Sequence, residues 1–264
     1  MQNLYKTLKV SKEHPHILIL ILNRPYASNA FNTEMASELR EFFSTLYEHE
    51  PECRALILTG EGKKAFCAGG DLKERLGMDL NTWQAQHLVF EEMIKLILDC
   101  TIPILGAING AAFGGGCEMV AALDFSYAAT TATFAQTETK IGIIPGIGGT
   151  QTLSRAMGEK RAKEIILSGQ TFTSDEALKW GLVNAVFSNE TLLNEAVKCA
   201  KKIVSNAPTA VQQAKKSIHL GLQTTLSEGM SIELECYNKT VNTFDREEGV
   251  LAFNQKRLPN FKGY

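Results

Sequence analysis

Residues 114–123 read GGGCEMVAAL, three glycines followed by an apolar run that contains one carboxylate, Glu118. An apolar run of this length, opened by glycines, predicts a buried helix. The glycines place bare N–H groups at the positive end of the helix dipole, where a substrate oxygen can approach the backbone closely. Burial of a carboxylate costs free energy unless the group is paired or its pKa rises. Glu118 is therefore interpreted either as a catalytic group or as a structural carboxylate satisfied by an arginine or by backbone amides.

Apolar runs alternate with helical segments on both sides of this stretch, which predicts an α/β fold with much parallel pairing. After residue 191 the strand patterns end, and three or four helices follow. The sequence thus predicts an α/β core over residues 1–190, which holds the site, and a helical part over residues 191–264. Strands are predicted over residues 16–22, 54–59, 102–108, 124–129 and 184–187, and helices over residues 32–49, 82–98, 150–156, 159–167 and 174–180.

The composition is that of a folded chain with a small net charge. Of 264 residues, 44% are hydrophobic, and 27 basic against 29 acidic residues give a net charge of −2. These values exclude a disordered chain, a collagen and a coiled coil, and they lack the basic excess of a dedicated nucleic-acid binder. The longest apolar runs, such as Ile17–Leu22, are far shorter than the ~20 residues that span a bilayer. Residues 1–16 contain no apolar signal core. We therefore expect a cytoplasmic protein with neither a membrane nor a nucleic acid as partner.

Motif spacing argues against several classes of enzyme. The glycines at 114–116 and 146–149 lack the last glycine of GxGxxG, and neither a GxxxxGK[ST] nor a GxSxG segment occurs. These absences disfavour dinucleotide oxidoreductases, P-loop enzymes and serine hydrolases. The six cysteines form no CxxC pair and the five histidines form no HExxH pair, so neither disulfides nor a metal site is expected.

A second loop of small residues follows the predicted strand at 54–59. Residues 65–71 read AFCAGGD, and this loop and residues 114–116 can supply two N–H donors to one oxyanion. Each such donor is worth about 3–4 kcal/mol in a dry site. The alternative interpretation of each loop is a tight turn. Another carboxylate, Glu138, lies in FAQTETK at residues 134–140, where the alternative is a surface group paired with Lys140.

These segments, taken in order, resemble the crotonase (enoyl-CoA hydratase/isomerase) superfamily. The resemblance implies a spiral α/β core of repeated ββα units and a helical C-terminal part that assembles trimers, usually as a dimer of trimers. It implies an acyl-CoA substrate, with CoA as part of that substrate and no separate cofactor. We expect the C-terminal helices to bury one apolar face in the trimer. That face contains Ile232, Cys236, Val241 and Phe244, and the matching segments are residues 23–25, 64–72, 108–110, 114–118, 144–146 and 148–151.

The same resemblance implies the residues of the site. Glu118 and Glu138 match the catalytic carboxylates, and the peptide N–H groups of Cys67 and Gly115 match the oxyanion hole. The backbone around Ala65–Gly70 matches the part that holds the CoA adenine and pantetheine, and Gln136 and Gly146 are weaker candidates to support the second carboxylate and the water. The expected substrate-binding residues are Ala65, Cys67, Ala68, Gly69, Gly70, Gly115 and Gly146.

The presence of both carboxylates favours a hydratase over an enoyl-CoA isomerase, because many such isomerases lack the first. In a hydratase, Glu118 acts as base towards water and Glu138 as acid towards Cα, and the two titrate as a coupled pair. A non-catalytic or RNA-binding relative on the same fold is the third alternative. The helix at residues 37–50 argues against RNA binding, because it is acidic and contains no lysine.

Three segments resemble one branch of the superfamily more closely, the 3-methylglutaconyl-CoA hydratases. They are residues 67–75, residues 138–146 and the C-terminal residues 248–263. This resemblance implies a role in leucine breakdown and a substrate with a methyl branch at Cβ and a distal carboxylate. The sequence alone assigns no arginine or lysine to that carboxylate.

Overall fold

The computed structural model describes residues 5–264, which form two β-sheets and the helices packed around them. The strands are β1 (Leu8–His14), β2 (Ile17–Leu22), β3 (Ala55–Gly60), β4 (Ala65–Cys67), β5 (Ile104–Ile108), β6 (Ala111–Phe113), β7 (Phe125–Ala129), β8 (Thr133–Ala135), β9 (Thr171–Thr173) and β10 (Ala185–Phe187). The helices are α1 (Thr33–His49), α2 (Leu72–Arg75), α3 (Leu80–Leu98), α4 (Gly115–Ala122), α5 (Gly149–Met157), α6 (Glu159–Ser168), α7 (Ser174–Trp180), α8 (Leu192–Val204), α9 (Pro208–Gly221), α10 (Leu226–Val241) and α11 (Phe244–Asn254). Short 3-10 helices occur at Pro25–Ala27 and Glu138–Ile141.

The larger sheet has six strands in the order β1-β2-β3-β5-β7-β10. Its neighbouring strands are parallel, apart from the antiparallel pair β1–β2. Every residue of β3 and β5 is buried, as expected for parallel strands that are covered on both faces. The five strands that the sequence predicts all lie in this sheet, and their prediction is confirmed.

The smaller sheet has four strands in the order β4-β6-β8-β9, and the sequence patterns do not predict it. Each of its strands has three residues, which is too short for an alternating pattern to show. The pairs β3–β4, β5–β6 and β7–β8 each place their first strand in the larger sheet and their second in the smaller one. Helical segments follow each pair, so the chain forms the spiral of ββα units that the resemblance implies.

The predicted helices are found with small shifts that their caps explain. Helix α1 begins after Asn32, whose side chain accepts a hydrogen bond from the Met35 N–H at 3.0 Å. Helix α3 begins two residues earlier than predicted, because the carboxylate of Asp79 accepts from the N–H groups of Asn81 and Thr82. Within residues 5–264, no helix combines the length and the apolar character that a bilayer span requires.

Residues 192–254 form the four helices α8–α11, in agreement with the predicted helical C-terminal part. Residues 1–4, which the predicted core includes, lie outside the described residues. The predicted composition of the exposed apolar face is wrong in part. Cys236 is buried within the chain, and Ile232 and Val241 are partly covered. The exposed apolar face of α10 is instead formed by Leu226, Met230, Leu234 and Tyr237, spaced four, four and three residues apart.

Candidate active site

Three parallel strands of the smaller sheet end at the same edge and bring three loops together. Strands β4, β6 and β8 pair in parallel and lead into the segments that begin at Ala68, Gly114 and Gln136. The first two segments touch at Gly69, where a Cβ atom would lie 2.7 Å from the Phe113 carbonyl oxygen and 3.0 Å from the Gly115 nitrogen. Gly69 also has a φ of 89°, so this junction of the two loops requires glycine.

The loops enclose a cavity of ≈ 550 Å³ that contains most of the residues predicted for the site. Both carboxylates line the cavity, although they are 20 residues apart in the chain. The predicted residues that line it are Ala68, Gly69, Gly70, Gly115, Glu118, Glu138 and Gly146.

Ala65 and Cys67, two further predicted site residues, do not line this cavity. Both belong to strand β4 and are buried in the sheet. Helix α4 packs on the Cys67 carbonyl oxygen so closely that a Cβ atom on Gly116 would overlap it. The expected oxyanion donor at Cys67 is therefore wrong in position, because the chain is still part of the sheet at this residue.

Gly70 lies in the part of the loop that lines the cavity. The Gly69 carbonyl before it and the Asp71 N–H after it are both occupied, since the Phe31 N–H donates to the Gly69 carbonyl at 2.8 Å and the Asp71 N–H donates to the Phe31 carbonyl at 3.0 Å. Among residues 5–264, the N–H groups of Gly70 and Gly115 have no hydrogen-bond acceptor. Gly115 is the first residue of α4, so no preceding turn of helix can accept from it. Both donors are thus free for a ligand.

Glu118 is 3% exposed and has one carboxylate oxygen fixed by the protein. Its Oε1 accepts hydrogen bonds from the Gly149 N–H at 2.7 Å and from the Ile147 N–H at 3.1 Å. Its Oε2 has no protein donor within the described part of the chain. Burial raises the pKa of Glu118 to about 7; the two N–H donors oppose this shift and the charge of Glu138 adds to it. Backbone amides do satisfy Glu118, as the structural interpretation requires, but they leave one oxygen for the cavity.

Glu138 is 8% exposed and begins the 3-10 helix that follows β8. Gln136, which is 1% exposed, lies beside it, and the surrounding groups orient the amide with its nitrogen towards Glu138. That nitrogen donates to the two carboxylate oxygens at 2.9 and 3.2 Å and to the Gly114 carbonyl at 3.2 Å. Burial raises the pKa of Glu138 above its usual value. The alternative pairing with Lys140 is wrong, because the Lys140 side chain packs against Gly169 instead.

The order of these elements and groups is that of a known family. The family model described as enoyl-CoA hydratase/isomerase matches residues 12–264. The chain belongs to this family.

Individual relatives agree with this over nearly the whole chain. A short-chain-enoyl-CoA hydratase of Clostridium acetobutylicum is 37% identical over 93% of this chain and 94% of its own length. A crotonyl-CoA hydratase of Syntrophomonas wolfei is 36% identical over 97% of this chain and 98% of its own. The crystal structure of an enoyl-CoA hydratase from Bacillus anthracis, 40% identical, superposes with a TM-score of 0.96 and covers 98% of this chain and 100% of its own.

In this member of the enoyl-CoA hydratase/isomerase family, the NRP segment at residues 23–25 supports the loop at residues 68–71. The Arg24 guanidinium pairs with the Asp71 carboxylate at 3.0 Å and donates to the Ala30 carbonyl at 2.5 Å. Asp71 directly follows Gly70 and also caps helix α2. The ion pair therefore holds a loop that lines the cavity.

A further part of the cavity wall comes from α2 and α3, and the sequence predicts little of it. The Trp83 and His87 rings stack at 4.9 Å between centroids, and His87 packs against Gly146. Trp83 lines the cavity as well. Arg75 and Phe90 complete this side. The sequence signal for Arg75 is weak, because in Leu72–Arg75 it resembles an ordinary charged helix end.

Proposed function

We propose that this chain adds water reversibly across the 2,3 double bond of an enoyl-CoA thioester. The observation that supports it best is the meeting, in one cavity, of two buried carboxylates with raised pKa values and two free N–H groups. The N–H groups of Gly70 and Gly115 form the oxyanion hole in this proposal, with Gly70 in the place expected of Cys67. The substrate brings its own CoA, and Ala68, Gly69 and Gly70 contact it through their backbone.

The proposed reaction involves two proton transfers: the water that attacks Cβ loses one proton, and Cα receives another. Water attacks Cβ while Oε2 of Glu118 takes its proton, and the negative charge moves to the thioester oxygen, where the two N–H groups stabilise it. Protonated Glu138 then gives its proton to Cα, so the C=C bond becomes a single bond between a hydroxylated Cβ and a CH₂. Dehydration reverses both transfers. The two carboxylates together hold one proton before the reaction, on Glu138, and one proton after it, on Glu118.

The direct test is hydration of crotonyl-CoA, followed by the loss of the enoyl absorbance and by identification of the 3-hydroxyacyl product. We expect turnover by the purified chain without an added cofactor. Migration of the double bond without uptake of water would support an isomerase instead. Absence of any turnover over a panel of enoyl-CoA thioesters would contradict catalysis altogether. The cytoplasmic location stays a prediction.

Within this reaction class, we propose 3-methylglutaconyl-CoA as the preferred substrate. The proposal is supported by the resemblance of residues 67–75, 138–146 and 248–263 to that branch. We expect a higher kcat/KM for 3-methylglutaconyl-CoA than for crotonyl-CoA, because a buried polar group left without its partner costs far more than a missing methyl group. An enzyme that is equally fast on linear C4–C6 thioesters and inactive on 3-methylglutaconyl-CoA would be a general short-chain hydratase.

We expect a homotrimer or a dimer of trimers in solution. The exposed face formed by Leu226, Met230, Leu234 and Tyr237 supports this expectation, because exposed apolar patches of this kind mark interaction surfaces. Light scattering at micromolar concentration measures the assembly directly. A monomer under these conditions would contradict it.

A further inference from the structure

Arg75, the last residue of α2, places a cation in the wall of the cavity. Its guanidinium carbon lies 5.2 Å from the centre of the Phe90 ring and 5.3 Å from the centre of the Trp83 ring. A Cβ atom on Gly70 would lie 4.0 Å from the same carbon. The charge therefore sits between an aromatic surface and the loop that carries one of the proposed oxyanion donors.

Within residues 5–264, no carboxylate forms an ion pair with Arg75. Its Nε donates to Oε1 of Gln86 at 2.9 Å, and its two terminal nitrogens have no acceptor in this part of the chain. The neighbouring Glu74 does not compete, because its Oε2 accepts from the Gln86 amide at 2.8 Å and from the Thr33 N–H at 2.9 Å. Gln86 thus holds the Nε atom of the guanidinium, and the two terminal nitrogens remain available to a ligand in the cavity.

A half-buried cation without a counter-ion costs stability, since burial disfavours the charged form. Burial accordingly lowers the pKa of Arg75, although an arginine keeps its charge at neutral pH. A half-buried charge in a cavity wall, held by a neutral amide and two rings, is a candidate for a functional site.

We propose that Arg75 binds a carboxylate at the far end of the acyl chain and so selects enoyl-CoA thioesters of dicarboxylic acids. The proposal rests on the proposed function and extends it to a residue. The distances fit an acyl chain of five carbons. The Gly70 nitrogen lies about 2.5 Å from its own Cβ position, which places it within about 6.5 Å of the Arg75 guanidinium carbon. Carbons C1 and C5 of an extended chain are about 5 Å apart at about 1.5 Å per bond. One substrate can therefore reach Gly70 with its thioester and Arg75 with its carboxylate.

The binding test uses two saturated thioesters that cannot react, glutaryl-CoA and butyryl-CoA, measured by calorimetry. They share the CoA and differ mainly at the distal carboxylate. We expect the full-length protein to bind glutaryl-CoA at least tenfold more tightly, which corresponds to about 1.4 kcal/mol. Arg75→Met abolishes this preference, and Arg75→Lys keeps part of it because lysine retains the charge without the planar fork. Arg155→Met, at an exposed arginine in α5, retains the full preference.

The matching kinetic test compares glutaconyl-CoA with crotonyl-CoA. We expect the ratio of their kcat/KM values to fall at least tenfold in Arg75→Met and to stay at the wild-type value in Arg155→Met. A wild-type protein that binds butyryl-CoA as tightly as glutaryl-CoA would overturn the inference, and so would an unchanged preference in Arg75→Met. If wild-type shows the Arg75-dependent preference in binding but hydrates neither thioester, the proposed function fails and the inference about Arg75 stands. Should Arg75→Met not fold, Arg75→Lys decides: a preference reduced below that of wild-type supports the inference, and an unchanged preference overturns it.

Discussion

Glutamine at position 118 or at position 138 lowers kcat for hydration at least ~10²-fold, the lower end of general acid–base effects. An amide at 118 cannot take a proton from water, and an amide at 138 has no acidic proton to give to Cα. Glutamine preserves the shape of each side chain, and its oxygen can still accept from the Gly149 and Ile147 N–H groups at position 118. We therefore expect binding of CoA thioesters to survive, which calorimetry with butyryl-CoA measures beside the steady-state rates.

Glu52→Gln is the matched control, because the Glu52 side chain is 84% exposed and belongs to no cavity wall. The pH profile gives an independent check. With its pKa at about 7, Glu118 becomes protonated as the pH falls through neutrality, so hydration slows on the acidic side. Glu118→Gln removes that dependence. A near-normal kcat in either glutamine variant would show that the assigned role is wrong.

The second large effect is expected from Gly115→Pro, which removes an N–H group from the cavity. Proline is tolerated at the first position of a helix, where Gly115 lies, so the backbone of α4 can persist. The loss of one oxyanion donor typically lowers kcat by about 10²–10³-fold. The rate is measured with crotonyl-CoA at saturation.

Gly115→Ala separates the donor from the crowding. A Cβ atom at this position would lie 2.5 Å from the Phe31 ring, and alanine and proline both introduce it. Alanine retains the N–H group, so the difference between the two variants reports the loss of this donor together with the ring atoms that proline puts in its place. Thermal unfolding shows whether each variant is folded. A folded Gly115→Pro protein as active as Gly115→Ala would rule out this donor.

The larger sheet could be predicted from the sequence, and the smaller one could not. Strands β3 (ALILTG) and β5 (ILGAI) consist mostly of apolar residues and are buried throughout, which is the pattern of buried parallel strands. The strands of the smaller sheet have only three residues each. In β6 (Ala111–Phe113) two of the three are alanine, which does not favour a strand. Their pairing depends on contacts between distant segments, which local patterns do not encode.

The site shows the same division. Glu118 stands out because a carboxylate interrupts an apolar helix, whereas Glu138 lies in a polar segment and was recognised by the resemblance. The proposed oxyanion donor Gly70 lies three residues after Cys67, the residue expected from the sequence, because the end of β4 cannot be predicted from AFCAGGD. Arg75 was missed as a site residue because its position in the cavity depends on α3, which lies across from it.

Because the chain alternates between the two sheets, the cavity is built from segments that follow separate strands of the smaller sheet. Gly70 and Glu138 reach the cavity after different short strands, β4 and β8, whereas Gly115 and Glu118 share the segment after β6. An exchange of the segment that holds Glu138 can therefore change the proposed proton transfer to Cα and leave the N–H groups of Gly70 and Gly115 in place. The wall formed by Trp83 and Phe90 belongs to α3, a further segment, so the preference for an acyl group can change independently of the reaction performed on it.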